Sequence, residues 1–183
     1  MKTVMRFALA VLAVGAALGM SGCTDESSRN TLTVVSVNEG NAYFSDLINE
    51  ADSLKPFIPV DAVVVSFGNI PNGGGEPLGP GEPFSEIVVT SYTVTYDNGI
   101  YSPVNGGTNV RVPSGGTTEG SIILSNSSEK GALLGSLSGT VTTTARIRFV
   151  GYNYINGAIN GERVEAFAAL TVQVGNFGDE DVN

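Results

Sequence analysis

Two segments near the C-terminal end alternate apolar and polar residues with a period of two, and nothing else in the chain constrains its fold as strongly. In "VTTTARIRFVGYNY", residues 141–154, the odd positions Val141, Ala145, Ile147 and Phe149 are apolar, with Arg146 and Arg148 between them. In "ERVEAFAALTVQV", residues 162–174, Val164, Ala166, Ala168, Leu170, Val172 and Val174 alternate in the same way with Glu165, Thr171 and Gln173. A helix cannot gather every second residue on one face, whereas a strand does so by construction. The pattern therefore predicts two half-buried antiparallel strands. The intervening "INGAING" offers Asn-Gly twice, which suits the positive φ of a hairpin loop. The same register sends Phe149 to the core and leaves Phe167 on the opposite face.

Shorter runs rich in Val, Ile, Thr, Tyr and Phe, separated by Gly, Asn, Pro and Ser, extend the β reading upstream. Strands are predicted at 31–37, 61–67, 85–96, 108–113 and 119–125. The run "DAVVVSF" at 61–67 is apolar on both faces and so belongs at the centre of a sheet. In the long 85–96 run, Val88, Tyr92, Val94 and Tyr96 make the heavier face. Asp97-Asn98-Gly99 follows as a turn signal. The segment 45–53 has room for one helical turn. With the terminal pair this gives about seven strands in roughly 150 residues, the size and spacing of one all-β domain, a single antiparallel β-sandwich of immunoglobulin-like kind. The paired cysteines and the tryptophan of antibody domains are absent, so strand count and hairpin order carry that description, and a fibronectin-type or jelly-roll sandwich shares them.

The N-terminal segment is of another character. Lys2 and Arg6 precede the uncharged apolar run "FALAVLAVGAALGM", which has the length of an export signal and is short for a membrane span. It ends at Met20-Ser21-Gly22-Cys23, and Cys23 is the single cysteine of the chain. This stretch resembles the bacterial lipobox, in which small residues precede a cysteine that is acylated and becomes the first residue of the mature chain. The resemblance implies a cleaved signal at 1–22, lipidation of Cys23 with palmitate-type acyl chains, and a polar tether ending at Asn30. The domain would then occupy 31–183. Thr24 after the cysteine resembles an outer-membrane address. The other reading is an ordinary exported protein with a free or disulfide-bonded Cys23, although a lone thiol has no partner in this chain. Two acyl chains suffice for stable anchoring to a bilayer, and seven tether residues at ~3.5 Å each reach about 25 Å. Taken with the strand pattern and the terminal "VGNFGDED", the chain resembles bacterial envelope lipoproteins built on one immunoglobulin-like or fibronectin-like sandwich.

Charge and composition narrow the chemistry. Removal of residues 1–22 takes two of the nine basic residues and none of the eighteen acidic ones, leaving seven against eighteen, a net of -11. Such a surface repels phosphates, which argues against nucleic acid and against adsorption to anionic headgroups. With no histidine in the chain, imidazole acid–base work and His-ligated metals are unavailable. "GSLSG" at 135–139 has Leu137 where a nucleophile elbow needs serine, and the Gly/Pro-rich segment 68–83 lacks the Gly-Lys-Ser/Thr ending of a phosphate loop. Two converging carboxylates, as in a glycosidase, remain a formal alternative. The chain reads as noncatalytic, and nothing in it calls for a cofactor.

Three features offer binding chemistry. The segment 68–83, with six glycines and four prolines, carries Glu76 and Glu82 and is either a recognition loop or a solvated one. Tyr152 and Tyr154 fall on the non-core parity of their strand, as an aromatic platform for sugar or protein or as plain cover for a sheet edge. Asp179 and Asp181 flank Glu180 near the C-terminal end and offer oxygen ligands of the kind calcium prefers, though without the spacing of an EF-hand loop. Two functions follow as expectations. One is a membrane-anchored structural or protein-interaction module whose partners are the bilayer, through Cys23, and another envelope protein. The alternative is a lipoprotein that captures a glycan or small solute through the tyrosines and the 68–83 loop. A flat apolar patch or an open edge strand favours the first, and a concave site with two or more aromatics favours the second.

Overall fold

A computed structural model describes residues 30–52, 54–72, 86–155 and 158–177. The strands are β1 (Asn30–Val37), β2 (Tyr43–Asp46), β3 (Asp61–Pro71), β4 (Glu86–Tyr96), β5 (Val104–Pro113), β6 (Thr117–Ser125), β7 (Val141–Ile155) and β8 (Ala158–Gly175). A short helix, α1 (Ser127–Leu133), lies between β6 and β7. Two sheets form, one of three strands in the order β1-β3-β6 and one of five in the order β2-β8-β7-β4-β5. The first, third and sixth strands thus share one sheet, while the fourth, seventh and eighth share the other. The two sheets pack face to face as a β-sandwich.

The expected alternation in the terminal pair is present. Ala145, Ile147, Phe149, Val164, Ala166, Leu170, Val172 and Val174 are buried between the sheets, and Phe167 is 69% exposed. β7 and β8 pair antiparallel over almost their whole length, from Val141↔Val174 to Ile155↔Ala158. Phe149 closes the core by meeting Phe67 of the other sheet edge-on, ring centroids 4.9 Å apart. Such a pair adds about 0.5–1.5 kcal/mol beyond its buried area. On β5, Gly106 stands opposite Tyr92, and an added Cβ there would come within 2.2 Å of the phenol ring. Any side chain at 106 would displace Tyr92, whose hydroxyl accepts from the Ile123 N–H across the sandwich at 2.9 Å.

Several expectations need correcting. The strands number eight among the described residues, and the sandwich is mixed rather than wholly antiparallel, because β2 runs parallel to β8 at the sheet edge. β2 occupies part of the segment expected to make a helical turn. Beyond it the Leu47 N–H donates to the Gly175 carbonyl at 2.9 Å, and Asn49 bridges to Phe57. Helix instead forms at α1, where Ser127, Ser128 and Glu129 supply a polar first turn and Gly135, at φ +86, follows the end. Glu129 in that first turn complements the helix dipole.

β3 is central, as expected, but only one of its faces is covered: Val64 and Ile70 are largely exposed on the other. It also runs four residues further, taking Gly68–Pro71 out of the Gly/Pro-rich segment and into the sheet. On β4, Tyr92, Val94 and Tyr96 face the core as expected, and Val88 does not. A register shift between Val89 and Ser91 changes the parity, so that Ile87 and Val89 join the core cluster and Val88 lies on the other face. One extra residue in a strand reverses every side chain on one side of it, and no alternation pattern survives that.

Candidate functional site

The most unusual chemistry lies inside the sandwich. Asp61, the first residue of β3, and Lys130, in the middle of α1, have side chains that are 4% and 0% exposed, with Lys130 Nζ 2.5 Å from Asp61 Oδ1. Ser45 of β2 and Ser125 at the end of β6 donate to Asp61 Oδ2 at 2.5 and 2.6 Å. The Tyr43 hydroxyl approaches Oδ1 at 3.4 Å, and Lys130 Nζ also donates to the Asp46 carbonyl at 2.7 Å. Tyr101 lies 2.9 Å from Ser45 Oγ. Because the Ser45 proton is engaged by Asp61, Tyr101 is the donor there. Burial, and after it the charge of Asp61, pushes the Tyr43 phenol up to about 12. Burial likewise pushes Tyr101 up to about 12. Both phenols are therefore donors at any ordinary pH. The cluster brings together β2, β3, β6, α1 and the Tyr101 segment, and its charged pair is shut away from solvent, so no dissolved substrate reaches it.

Sequence reasoning passed over this cluster. Its local signals are an aspartate opening an apolar strand in "PVDAVVV" and a lysine among small residues in "SSEKGAL". Neither points to the other across the 69 positions between them.

A second candidate lies on the outer face of the five-stranded sheet, a shallow groove of about 540 Å³ lined mainly by Thr93, Thr95, Arg146, Arg148, Phe167 and Ala169. Strand register builds it. Thr93, Arg148 and Phe167 form one row across β4, β7 and β8, and Thr95, Arg146 and Ala169 the next. Both guanidiniums are already engaged. Arg146 binds Asp97 through Nε at 2.5 Å and Nη2 at 3.1 Å, and Arg148 binds Glu165 through Nη2 at 2.5 Å and Nε at 3.0 Å. These hydrogen bonds hold Asp97 and Glu165 below the usual carboxylate range. The groove therefore offers a single aromatic ring and two paired cations.

Of the residues singled out from sequence, Tyr152 and Tyr154 are both on the outer face, each half-buried. Tyr152 stands in register with Val88 on one side and Arg163 on the other. Tyr154 stands beside Glu86, with the Arg111 guanidinium 4.4 Å from its ring centroid. The two rings cover the displaced Val88 end of β4 and do not line the groove around Phe167. Cys23, Glu76, Glu82, Asp179 and Asp181 lie outside the described residues, as does most of the 68–83 segment. Among the described residues, no three carboxylate, thiol or imidazole side chains gather as a metal site. No protein-family model matches the chain, and no curated protein sequence matches it significantly.

Proposed function

We propose that this is a noncatalytic envelope lipoprotein, anchored through acylated Cys23, whose immunoglobulin-like domain docks with another envelope protein. The outer membrane is the proposed address, on the strength of Thr24 after the cysteine. The observation that carries the docking reading is the outer face of the three-stranded sheet. Val35 of β1, Val64 and Ile70 of β3 and Ile123 of β6 stand 39–60% exposed there, with Glu119 of β6 among them. Four exposed aliphatic side chains set among Thr31, Ser66, Glu119 and Ser121 suit the mixed surface that a protein partner covers, since glycans are gripped by converging aromatic rings and this face has none among the described residues. The groove on the opposite face has one ring, Phe167, and its arginines are neutralised.

The test is site-specific photocrosslinking in the native envelope from position 64 and, as a control, from position 95 on the opposite sheet. A discrete protein adduct at 64 and none at 95 is expected. Adducts at 95 that carry glycan, with none at 64, would overturn the reading in favour of solute capture.

A further inference from the structure

We propose that Asp61 and Lys130 become joined by an intramolecular amide bond between Cγ and Nζ, formed after folding with the release of one water. Lys130 Nζ and the Asp61 carboxylate are in direct contact, and, unlike the exposed pairs of Arg146 with Asp97 and Arg148 with Glu165, neither side chain meets solvent. Two opposite charges held in such an interior lose their hydration and recover it only in part from each other. An amide removes both charges and keeps the polar atoms bonded. Folding itself supplies the proximity, holding the two groups at a concentration no bimolecular encounter reaches.

The atoms needed for the step surround the pair. The ammonium gives one proton to Oδ1 across their shared hydrogen bond, leaving a lone pair on Nζ. That pair attacks Cγ, the C–N bond forms, and the electrons of the C=Oδ2 bond move onto Oδ2. Ser45 and Ser125, donating to Oδ2 at 2.5 and 2.6 Å, hold the charge that develops there. A second proton passes from nitrogen to the departing oxygen across the contact that already joins Nζ to Oδ1, while the Tyr43 hydroxyl donates to that oxygen at 3.4 Å. As the C–Oδ1 bond breaks, water leaves and the Oδ2 electrons restore the carbonyl. The one remaining Nζ–H keeps its bond to the Asp46 carbonyl. Ammonium plus carboxylate gives amide plus water, so no co-reactant is required. The product ties the start of β3 to α1 and closes a covalent loop around the segment from Asp61 to Lys130.

A permanent ion pair makes the same contacts and differs from the amide by the mass of one water. The wild-type full chain, purified from membranes, is denatured and digested with trypsin, which cuts after Arg29, Arg111, Lys130 and Arg146 and spares Lys55 because Pro56 follows it. The expected product is a branched species joining residues 30–111 to 112–146, uncut at Lys130 and one water lighter than the two chains together. Asp61→Ala abolishes it and yields separate peptides 112–130 and 131–146. Recovery of those separate peptides from wild type, in the yield seen for Asp61→Ala, would overturn the proposal. The wild-type result decides even if the variant fails to fold.

Discussion

Phe149 and Phe167 sit one strand apart on the same sheet, and the difference between them is parity alone. Phe149 is fully buried against Phe67 and Tyr92, whereas Phe167 faces solvent. Phe149→Ala should lower the unfolding free energy by about 3–5 kcal/mol, and Phe167→Ala should change it by less than about 0.5 kcal/mol. Urea midpoints of the two variants check this, and equal shifts would contradict the packing described. A second residue-scale expectation comes from the phenols around Asp61. Tyr43 and Tyr101 are raised from the ordinary 10 to about 12 in the fold, chiefly by burial. Between those values the folded chain holds protons that the unfolded chain has lost, so stability falls as pH rises. The contribution is fully present below about pH 10 and is lost as pH climbs through about 12. Urea midpoints measured from pH 9 upward should therefore decline, and replacing both tyrosines with phenylalanine should reduce the decline, the remainder belonging to Tyr96, which burial also raises. The exposed pairs of Arg146 with Asp97 and Arg148 with Glu165 contribute little to stability by comparison.

At the scale of elements, the bulge in β4 decides how the larger sheet fits over the smaller. Thr90 is the extra residue: Val89 faces Gly151 and Ser91 faces Val150, with nothing opposite the residue between. Its hydroxyl donates to the Val150 carbonyl at 3.3 Å, so the insertion is itself satisfied. Deleting Thr90 leaves a uniform alternation that keeps Ile87, Val89, Tyr92 and Val94 all on the core face and sets Val89 and Ser91 opposite the consecutive Gly151 and Val150. The expected loss is about 1 kcal/mol, the size of the lost Thr90 hydrogen bond, because no core site is emptied, as urea midpoints of the deletion variant check. A loss above about 3 kcal/mol would mean that the bulge is itself required to pair β4 with β5, whose register also shifts there. β2 illustrates the opposite case. Its four residues carry almost no pattern, and it is held by parallel pairing to β8 and by Ser45 reaching Asp61.

At the scale of the molecule, β1 begins at Asn30, and the proposed anchor lies seven positions before it. No helix among the described residues is long and apolar enough to cross a membrane, so the anchoring proposal rests on Cys23. Cys23→Ser should leave the urea midpoint of the domain unchanged while moving the protein from the membrane pellet to the soluble fraction. Signal-cleaved Cys23→Ser protein retained wholly in the pellet would contradict that. One acyl chain gives only marginal, reversible binding, so loss of the lipid should be decisive and not graded.

What the sequence determined by itself was whatever depends on neighbouring residues. The alternation through 141–154 and 162–174 fixed two strands, their core faces and the fates of Phe149 and Phe167, because a side chain's face in a strand follows from parity alone. Turn residues and β-branched runs placed five further strands to within a few positions. Tertiary structure alone decided the rest: that β2 lies parallel to β8, that β4 changes parity at Thr90, and that Asp61 meets Lys130, 69 positions away, inside a ring of serine and tyrosine hydroxyls. Each of these depends on a partner from a distant segment. A buried charge becomes tolerable only once folding delivers the opposite charge to its side, and no local pattern records where that partner comes from.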